Sequence, residues 1–151
     1  MSVIGVISDT HGLLRPEAGT ALRGVEMILH AGDIGKPEIL EELSKIAPVT
    51  AVRGNNDTGD WARSIPDFQR LEIGGISIYM LHDLKEFNSA DEAIDADVLI
   101  FGHSHKPMIE EREGVLHLNP GSAGPRRFKL PVTIALLNVE GQVSAEIITL
   151  L

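Results

Sequence analysis

The feature that most constrains this chain is a repeated ending. Five short apolar runs each stop in a cluster of aspartate, asparagine or histidine. Val3 to Ser8 ends in "SDTHG", which supplies Asp9 and His11. Met27 to His30 ends in "LHAGD", which supplies Asp33. Pro48 to Val52 runs into "VRGNND", with Asn55 ahead of Asn56 and Asp57. Ile76 to Leu81 runs into "YMLHD" and His82, and Val98 to Phe101 into "FGHSH", with His103 and His105. Successive clusters lie 24, 22, 27 and 21 residues apart, which is room for one connection plus one strand. If the runs lie in the same direction, the spacing predicts seven polar side chains meeting at the carboxyl edge of the strands, where open α/β sheets bind their ligands.

The stretches between the runs predict the rest of the fold. Leu14 to Leu22 reads as a helix, with Pro16 in its first turn and Gly24 near its end. Residues 36–46, "KPEILEELSKI", read as the clearest helix, with Ile39, Leu40, Leu43 and Ile46 at helical spacing. Strand, helix, strand, helix, strand over the first 53 residues predicts parallel βαβ units. Hairpins then follow. Gln69 to Ile73 and Ile76 to Leu81 flank Gly74-Gly75, Met108 to Glu111 and Val115 to Leu118 flank "REG", and Val132 to Asn138 and Val143 to Leu151 flank "VEGQ". Asn88 or Ser89 is placed to cap a short helix through Ile94. Nine or ten strands are too many for one small open sheet. The expectation is an α/β (α+β) chain with two packed mixed sheets and helices outside, forming one domain over residues 1–151.

Two aspartates, one asparagine and four histidines form an oxygen and nitrogen donor set. Seven side chains exceed what one tetrahedral ion needs. They suit two ions sharing a carboxylate, with Asp33 as the bridge. Four imidazoles point away from magnesium and calcium, toward manganese, iron, zinc, cobalt or nickel. The chain has no cysteine, so thiolate ligands and disulfides are excluded. Its net charge is −9, from 13 Lys and Arg against 22 Asp and Glu, which disfavours general nucleic-acid binding. Two divalent ions would reverse that sign inside one cleft and attract a small phosphate ester. No apolar run approaches the roughly 20 residues needed to span a bilayer. The N-terminus reads as a strand rather than a signal peptide, so a cytoplasmic location without membrane attachment is expected. The oligomeric state is open.

The motifs "DTH", "GD", "GNND", the lone His82 and "GHSH" occur in an order that resembles the calcineurin-like metallophosphoesterases. "LHAGDI", "VRGNND" and "NPGS" resemble their small single-domain prokaryotic phosphodiesterase branch. The resemblance covers nearly the whole chain. It implies a four-layer αββα sandwich with a two-metal site at the strand ends. Asp9, His11, Asp33 and His105 would hold one ion, and Asp33, Asn55, His82 and His103 the other. Asp33, Asn55 and His82 would serve catalysis directly. The implied cofactors are two divalent transition-metal ions, manganese first, with iron, zinc, nickel or cobalt as alternatives. The implied reaction is in-line attack on phosphorus by a metal-bound hydroxide, on a small phosphoester. Two positions depart from the family. Asn56 stands where the protein-phosphatase type carries a proton-donating histidine, so diesters with better leaving groups are the expected substrates. Asp83 follows His82 where glycine is common, and it is placed to hydrogen-bond a ligand imidazole.

Several neighbours complete the reading. Arg53, Asn56 and Arg126 are candidate substrate contacts, with Arg127 and Lys129 forming a basic patch beside Arg126. His30 and His117 read as structural, Ser104 as a spacer, and Trp61 and Phe68 as packing residues. Gly12, Gly32, Gly54 and Gly102 each sit one residue from a proposed ligand, for tight turns or close approach. Two other function classes compete. One is a catalytically weak or inactive scaffold for protein interaction, as in the retromer subunit that shares this fold, but all seven ligand positions here carry capable side chains. The other is an amide or lactam hydrolase, whose "HxHxDH" signature is absent.

Overall fold

A computed structural model describes residues 3–86 and 96–151 of the chain. The first three apolar runs become parallel strands: β1 (Val3–Ile7), β2 (Met27–His30) and β3 (Val49–Ala51). Helices α1 (Pro16–Ala21) and α2 (Pro37–Ser44) connect them, each opening on a proline whose missing N–H costs nothing in the first turn. Strands β9 (Thr133–Asn138) and β10 (Ser144–Thr149) extend this sheet as antiparallel neighbours of β1, in the order β10-β9-β1-β2-β3.

The second sheet has the order β4-β5-β6-β8-β7. Its strands are β4 (Phe68–Ile73), β5 (Ile76–Leu81), β6 (Val98–Ile100), β7 (Met108–Arg112) and β8 (Val115–Asn119). Here β5, β6 and β8 are parallel, with β4 and β7 antiparallel at the edges. Both sheets are therefore mixed, as the sequence predicts. The three hairpins fall at Gly74-Gly75, "REG" and "VEGQ", also as expected.

Period-two alternation decides what each strand buries. Ile4 and Val6 of β1 point into the inter-sheet core with Leu29, meeting Ile78, Met80, Val98, Ile100 and Leu118 of the second sheet. Ile7 and Ile28 point the other way, onto Ala18 of α1, Leu22 just after it, and Ile39 and Leu43 of α2. Each of these large side chains contributes about 2 kcal/mol when buried. Both α-helices thus cover the outer face of the first sheet. The outer face of the second carries Tyr79, Leu81, Leu99 and Phe101, with Leu84 of a 3-10 turn at Leu84–Glu86 packed against them. The short helix anticipated after Asn88 or Ser89 lies outside the described residues. Among the described residues, no helix is long and apolar enough to cross a membrane.

Each sheet supplies three parallel strands, so six carboxyl ends face the same edge of the sandwich. Five of them lead into the ligand-bearing clusters. The sixth, β8, leads into "NPGS".

Candidate metal centre

The loops after β1 and β2 are joined by backbone hydrogen bonds. Asp9, His11 and Gly12 donate N–H to the carbonyls of Gly32, Asp33 and Ile34 at 3.0, 2.9 and 2.8 Å. This fixes Asp9 and His11 beside Asp33. Asp57 braces the next loop: its buried carboxylate accepts the backbone N–H groups of Ile34, Gly35 and Gly54 at 3.1, 2.9 and 2.9 Å. Gly54 and Gly102 are needed for close approach. A Cβ on Gly54 would collide with Asp33, and one on Gly102 with Ser8 and Asp9.

Five of the seven candidate ligands adopt positive φ: Asp9 (54°), His11 (46°), Asp33 (56°), His103 (70°) and His105 (64°). Left-handed backbone is uncommon outside glycine and concentrates where structure serves function. Asp9 is accordingly no helix cap; α1 starts after Arg15. "GHSH" is not an extended stretch either, so alternation cannot set where its two imidazoles point.

The side chains fall into two groups. Ligand-capable atoms of Asp9, His11 and His105 all lie within 4.8 Å of one another, as do those of Asp33, His82 and His103. Thus the two histidines of "GHSH" belong to different groups. The groups touch through their carboxylates. Asp33 Oδ2 is 3.6 Å from His11 Nε2 and 3.2 Å from His82 Nε2. Asp9 Oδ1 is 3.3 Å from His105 Nε2, 3.7 Å from His11 Nε2 and 3.8 Å from His82 Nε2. Asn55 joins the second group, its Oδ1 lying 3.2 Å from His103 Nδ1.

Four buried atoms here have no hydrogen-bond partner: Asp9 Oδ1, His11 Nε2, His82 Nε2 and His105 Nδ1. Buried polar atoms are normally paired, so several orphans in one cluster fit an ion-binding site. The partnered atoms fix the orientation. Asp9 Oδ2 accepts from Ser8 Oγ at 2.6 Å and from the His103 N–H at 3.2 Å, leaving Oδ1 for the cluster. His82 Nδ1 lies 2.7 Å from the Ala31 carbonyl. A carbonyl can only accept, so Nδ1 carries a proton and Nε2 is the nitrogen turned toward the cluster.

Burial alone would raise the Asp9 carboxyl, but His105, His11, His82 and Ser8 outweigh it and hold it well below the ordinary carboxylate range. Asp33 is lowered too, burial being outweighed by His82 and by the Asn56 N–H. Burial works to lower His82, yet Asp33 and Asp9 push it up to about 9. The neighbouring Asp9 carboxylate raises His11. Without ions, a proton on His82 therefore offsets part of the carboxylate charge near neutral pH.

His30 is structural, as expected. The single Thr10 hydroxyl proton goes to the Ile34 carbonyl at 2.9 Å, so Thr10 Oγ1 accepts from His30 Nε2–H at 3.0 Å. The Gly32 N–H donates to His30 Nδ1 at 3.1 Å. Both nitrogens are committed in the neutral form, and full burial holds the imidazole down at about 4.

Beside the second group opens a cleft of about 460 Å³, lined in part by Arg53, Asn55, Asp67, His82 and Asp83. Arg53 reaches it, with its guanidinium bonded to Asp67 Oδ1 at 2.8 and 3.0 Å. Asn56 directs its side-chain amide to Asp33 Oδ2 at 3.2 Å and its N–H to Asp33 Oδ1 at 2.9 Å. Arg126 donates to the Leu130 carbonyl in its own turn, and it is the charge of Arg127 that is felt at His11. Asp83 Oδ2 is 3.8 Å from His103 Nε2, an ion-pair distance rather than the anticipated hydrogen bond.

Ser104 is more than a spacer. Its Oγ accepts from the Lys106 N–H at 3.2 Å and from Asn119 Nδ2 at 3.1 Å. Asn119 also donates to the Gly102 carbonyl at 3.1 Å, so "NPGS" anchors "GHSH". His117 bonds locally to the Val115 carbonyl and lies edge-on to Phe101, away from the cluster. The bracing roles of Ser8, Thr10, Asp57 and Asn119 are local matches of donor to backbone, with no apolar period to announce them.

Residues 1–142 match the calcineurin-like phosphoesterase superfamily domain. The chain belongs to that superfamily. A probable metallophosphoesterase of Methanothermobacter thermautotrophicus is 40% identical, over 97% of this chain and 91% of its own. A phosphodiesterase of Methanocaldococcus jannaschii is 30% identical, over 96% and 98%. The solved structure of an archaeal phosphodiesterase superposes with a TM-score of 0.83 at 29% identity, covering 98% of this chain and 99% of that one. Chaetomium thermophilum Vps29 gives 0.81 at 23% identity, covering 99% and 98%, a likeness of fold. As a member of the superfamily, the chain is a metal-dependent phosphoesterase.

Proposed function

We propose that this phosphoesterase is a two-metal phosphodiesterase acting on small diesters with good leaving groups. One ion is held by Asp9, His11, His105 and Asp33, and the other by Asp33, Asn55, His82 and His103. The observation that carries this reading is the set of four orphaned buried atoms, all within the seven-residue cluster. Oxygen and imidazole donors without sulfur suit manganese first, with iron, zinc, cobalt or nickel able to replace it. Such ions, when bound, make water nucleophilic at neutral pH and offset charge on the phosphoryl oxygens.

The remaining work falls to the chain itself. Asp33 is steadied by both amide groups of Asn56, and His82 by the Ala31 carbonyl. Asn56 cannot release a proton near neutral pH and its amide is already bonded, so it supplies no proton to the leaving group. This favours leaving groups that are stable anions. Arg53 lies at the cleft wall, where release from Asp67 would free it for a phosphoryl oxygen.

The likeness of fold to Vps29 keeps a non-catalytic scaffold as the second reading. The two separate in one assay. Purified protein with manganese should hydrolyse bis(p-nitrophenyl) phosphate, and a chelator should abolish this. Activity that survives both chelation and His103→Ala would overturn the mechanism, and no turnover with any of the five metals would favour the scaffold.

A further inference from the structure

One surface turn combines high exposure with an unusual backbone. Phe128 is 89% exposed and holds φ at 54°, a conformation rare for a bulky residue. Arg126, Arg127 and Lys129 flank it, and Lys106, Phe128, Lys129 and Leu130 line an open, mostly apolar hollow of about 610 Å³.

The turn is tied to the metal cluster at both walls. On one side, "NPGS" lies against the Asp9 loop. Ser122 Oγ donates to the Asp9 carbonyl and the Ala123 N–H to the Ser8 carbonyl, both at 3.0 Å. Gly124 sits so near the Asp9 and Thr10 carbonyls that no Cβ would fit, and the Arg15 guanidinium donates to the Gly124 carbonyl at 3.2 and 3.3 Å. On the other side, Lys106 directly follows His105. The turn is closed by the Leu130 N–H donating to the Arg127 carbonyl at 3.1 Å and by Arg126 Nε donating to the Leu130 carbonyl at 3.2 Å. Phe128 is thus presented outward from a braced turn.

The two flanks of the centre differ in chemistry. The cleft beside His82 carries four acids, Asp57, Asp67, Asp83 and Glu86, against two arginines, Arg63 and Arg53, the latter paired to Asp67. The Phe128 flank carries cations and an uncovered aromatic ring, in a chain of net charge −9.

We propose that the turn from Arg127 to Leu130, with Lys106, is a subsite for the base of a small nucleotide whose phosphate sits at the metal cluster. A flat ring can stack on Phe128 whatever its hydrogen-bonding edge, so the subsite selects bases as a class. The neighbouring cations favour the anionic end of the same molecule. The overall negative charge disfavours a long polynucleotide, which leaves mononucleotides and their esters.

This inference rests on the phosphoesterase reading of the cluster, and one binding experiment separates the two. Calorimetry on the manganese-loaded protein compares adenosine 5′-monophosphate with ribose 5-phosphate, which has the phosphate and sugar but no base. The wild type should bind the nucleotide about tenfold tighter. Phe128→Ala should bring that ratio close to one and leave ribose 5-phosphate binding unchanged, while Phe128→Trp should restore it. Because the side chain is exposed, the alanine variant leaves the core intact. Equal affinities in the wild type, or an unchanged ratio in Phe128→Ala, overturn the subsite but leave the phosphoesterase reading standing. Binding of neither ligand also overturns the subsite, and the phosphoesterase reading falls only if the manganese-loaded protein fails to turn over the aryl diester as well. Phe128-dependent partition onto phosphatidylserine vesicles, without discrimination between the two ligands, would replace the subsite with a membrane contact.

Discussion

The two halves of the candidate centre are built differently. Asp9 and His105 are buried at 0% and 3% exposure, and the Asp9 carboxylate is oriented by Ser8 and by the His103 backbone. In the other half, His103 is 44% exposed and Asn55 is also at the surface, beside the open cleft. A buried ligand is already ordered before an ion arrives. An exposed one must be immobilised on binding, at about 0.5–1.5 kcal/mol for each side chain. On the proposed two-ion reading, the exposed His103 and Asn55 make the second half the one suited to meeting substrate and exchanging, although its His82 and Asp33 are as buried as Asp9 and His105.

The largest expected effect comes from removing what the halves share. Asp33→Ala should lower the initial rate on an aryl phosphodiester by about three orders of magnitude, since both groups lose a carboxylate. A loss of less than tenfold would mean that Asp33 does not link them. Next in size is the difference in affinity. Isothermal titration with manganese should resolve two events differing roughly tenfold to a hundredfold in Kd. His105→Ala should remove the tighter event and His103→Ala the weaker. Two indistinguishable events would break the contrast between the halves. Because His82 sits at about 9 in the metal-free protein, ion uptake should also release a proton near neutral pH, visible as a buffer-dependent heat.

The smallest effect tests the support behind the buried half. His30 is held near 4, below the value of 6.5 expected in the unfolded chain. Between pH 6.5 and 4 the unfolded state therefore binds more protons, and stability falls as pH falls. From pH 6.5 to 5 His30 should cost the metal-free protein about 1.5 kcal/mol, partly offset by His82 and His11, whose raised values act in the opposite sense, and the net is read as a shift in the urea midpoint. His30→Gln should flatten that slope, and an unchanged slope would assign it to another group.

Much of this was legible in the sequence because strand ends announce themselves. An apolar run that stops at Asp33 or His82 fixes both an element and the edge its ligand occupies. The hairpins at Gly74-Gly75 and "REG" were readable from turn chemistry in the same way. The split of His103 and His105 came only from the resemblance, because a positive φ at each breaks the alternation that an extended reading assumes. The bonds from Asn56 to Asp33 and from Asn119 to Ser104 span 23 and 15 residues. Such pairings depend on how loops from different strands meet, and no local pattern encodes them. The isolation of Phe128 at the surface was equally hidden, since a phenylalanine in a sequence reads as core.

The left-handed backbones of Asp9, His11, Asp33, His103 and His105 have an evolutionary consequence. Each holds a side chain where glycine would rest more easily, by about 1 kcal/mol. The centre is a standing load on the fold, which would be steadier without it. A library of variants selected only for heat resistance should drift toward glycine at these five positions and lose its metals. The same library selected for turnover should keep all five and gain its robustness elsewhere, in the sheets and helices that carry the load.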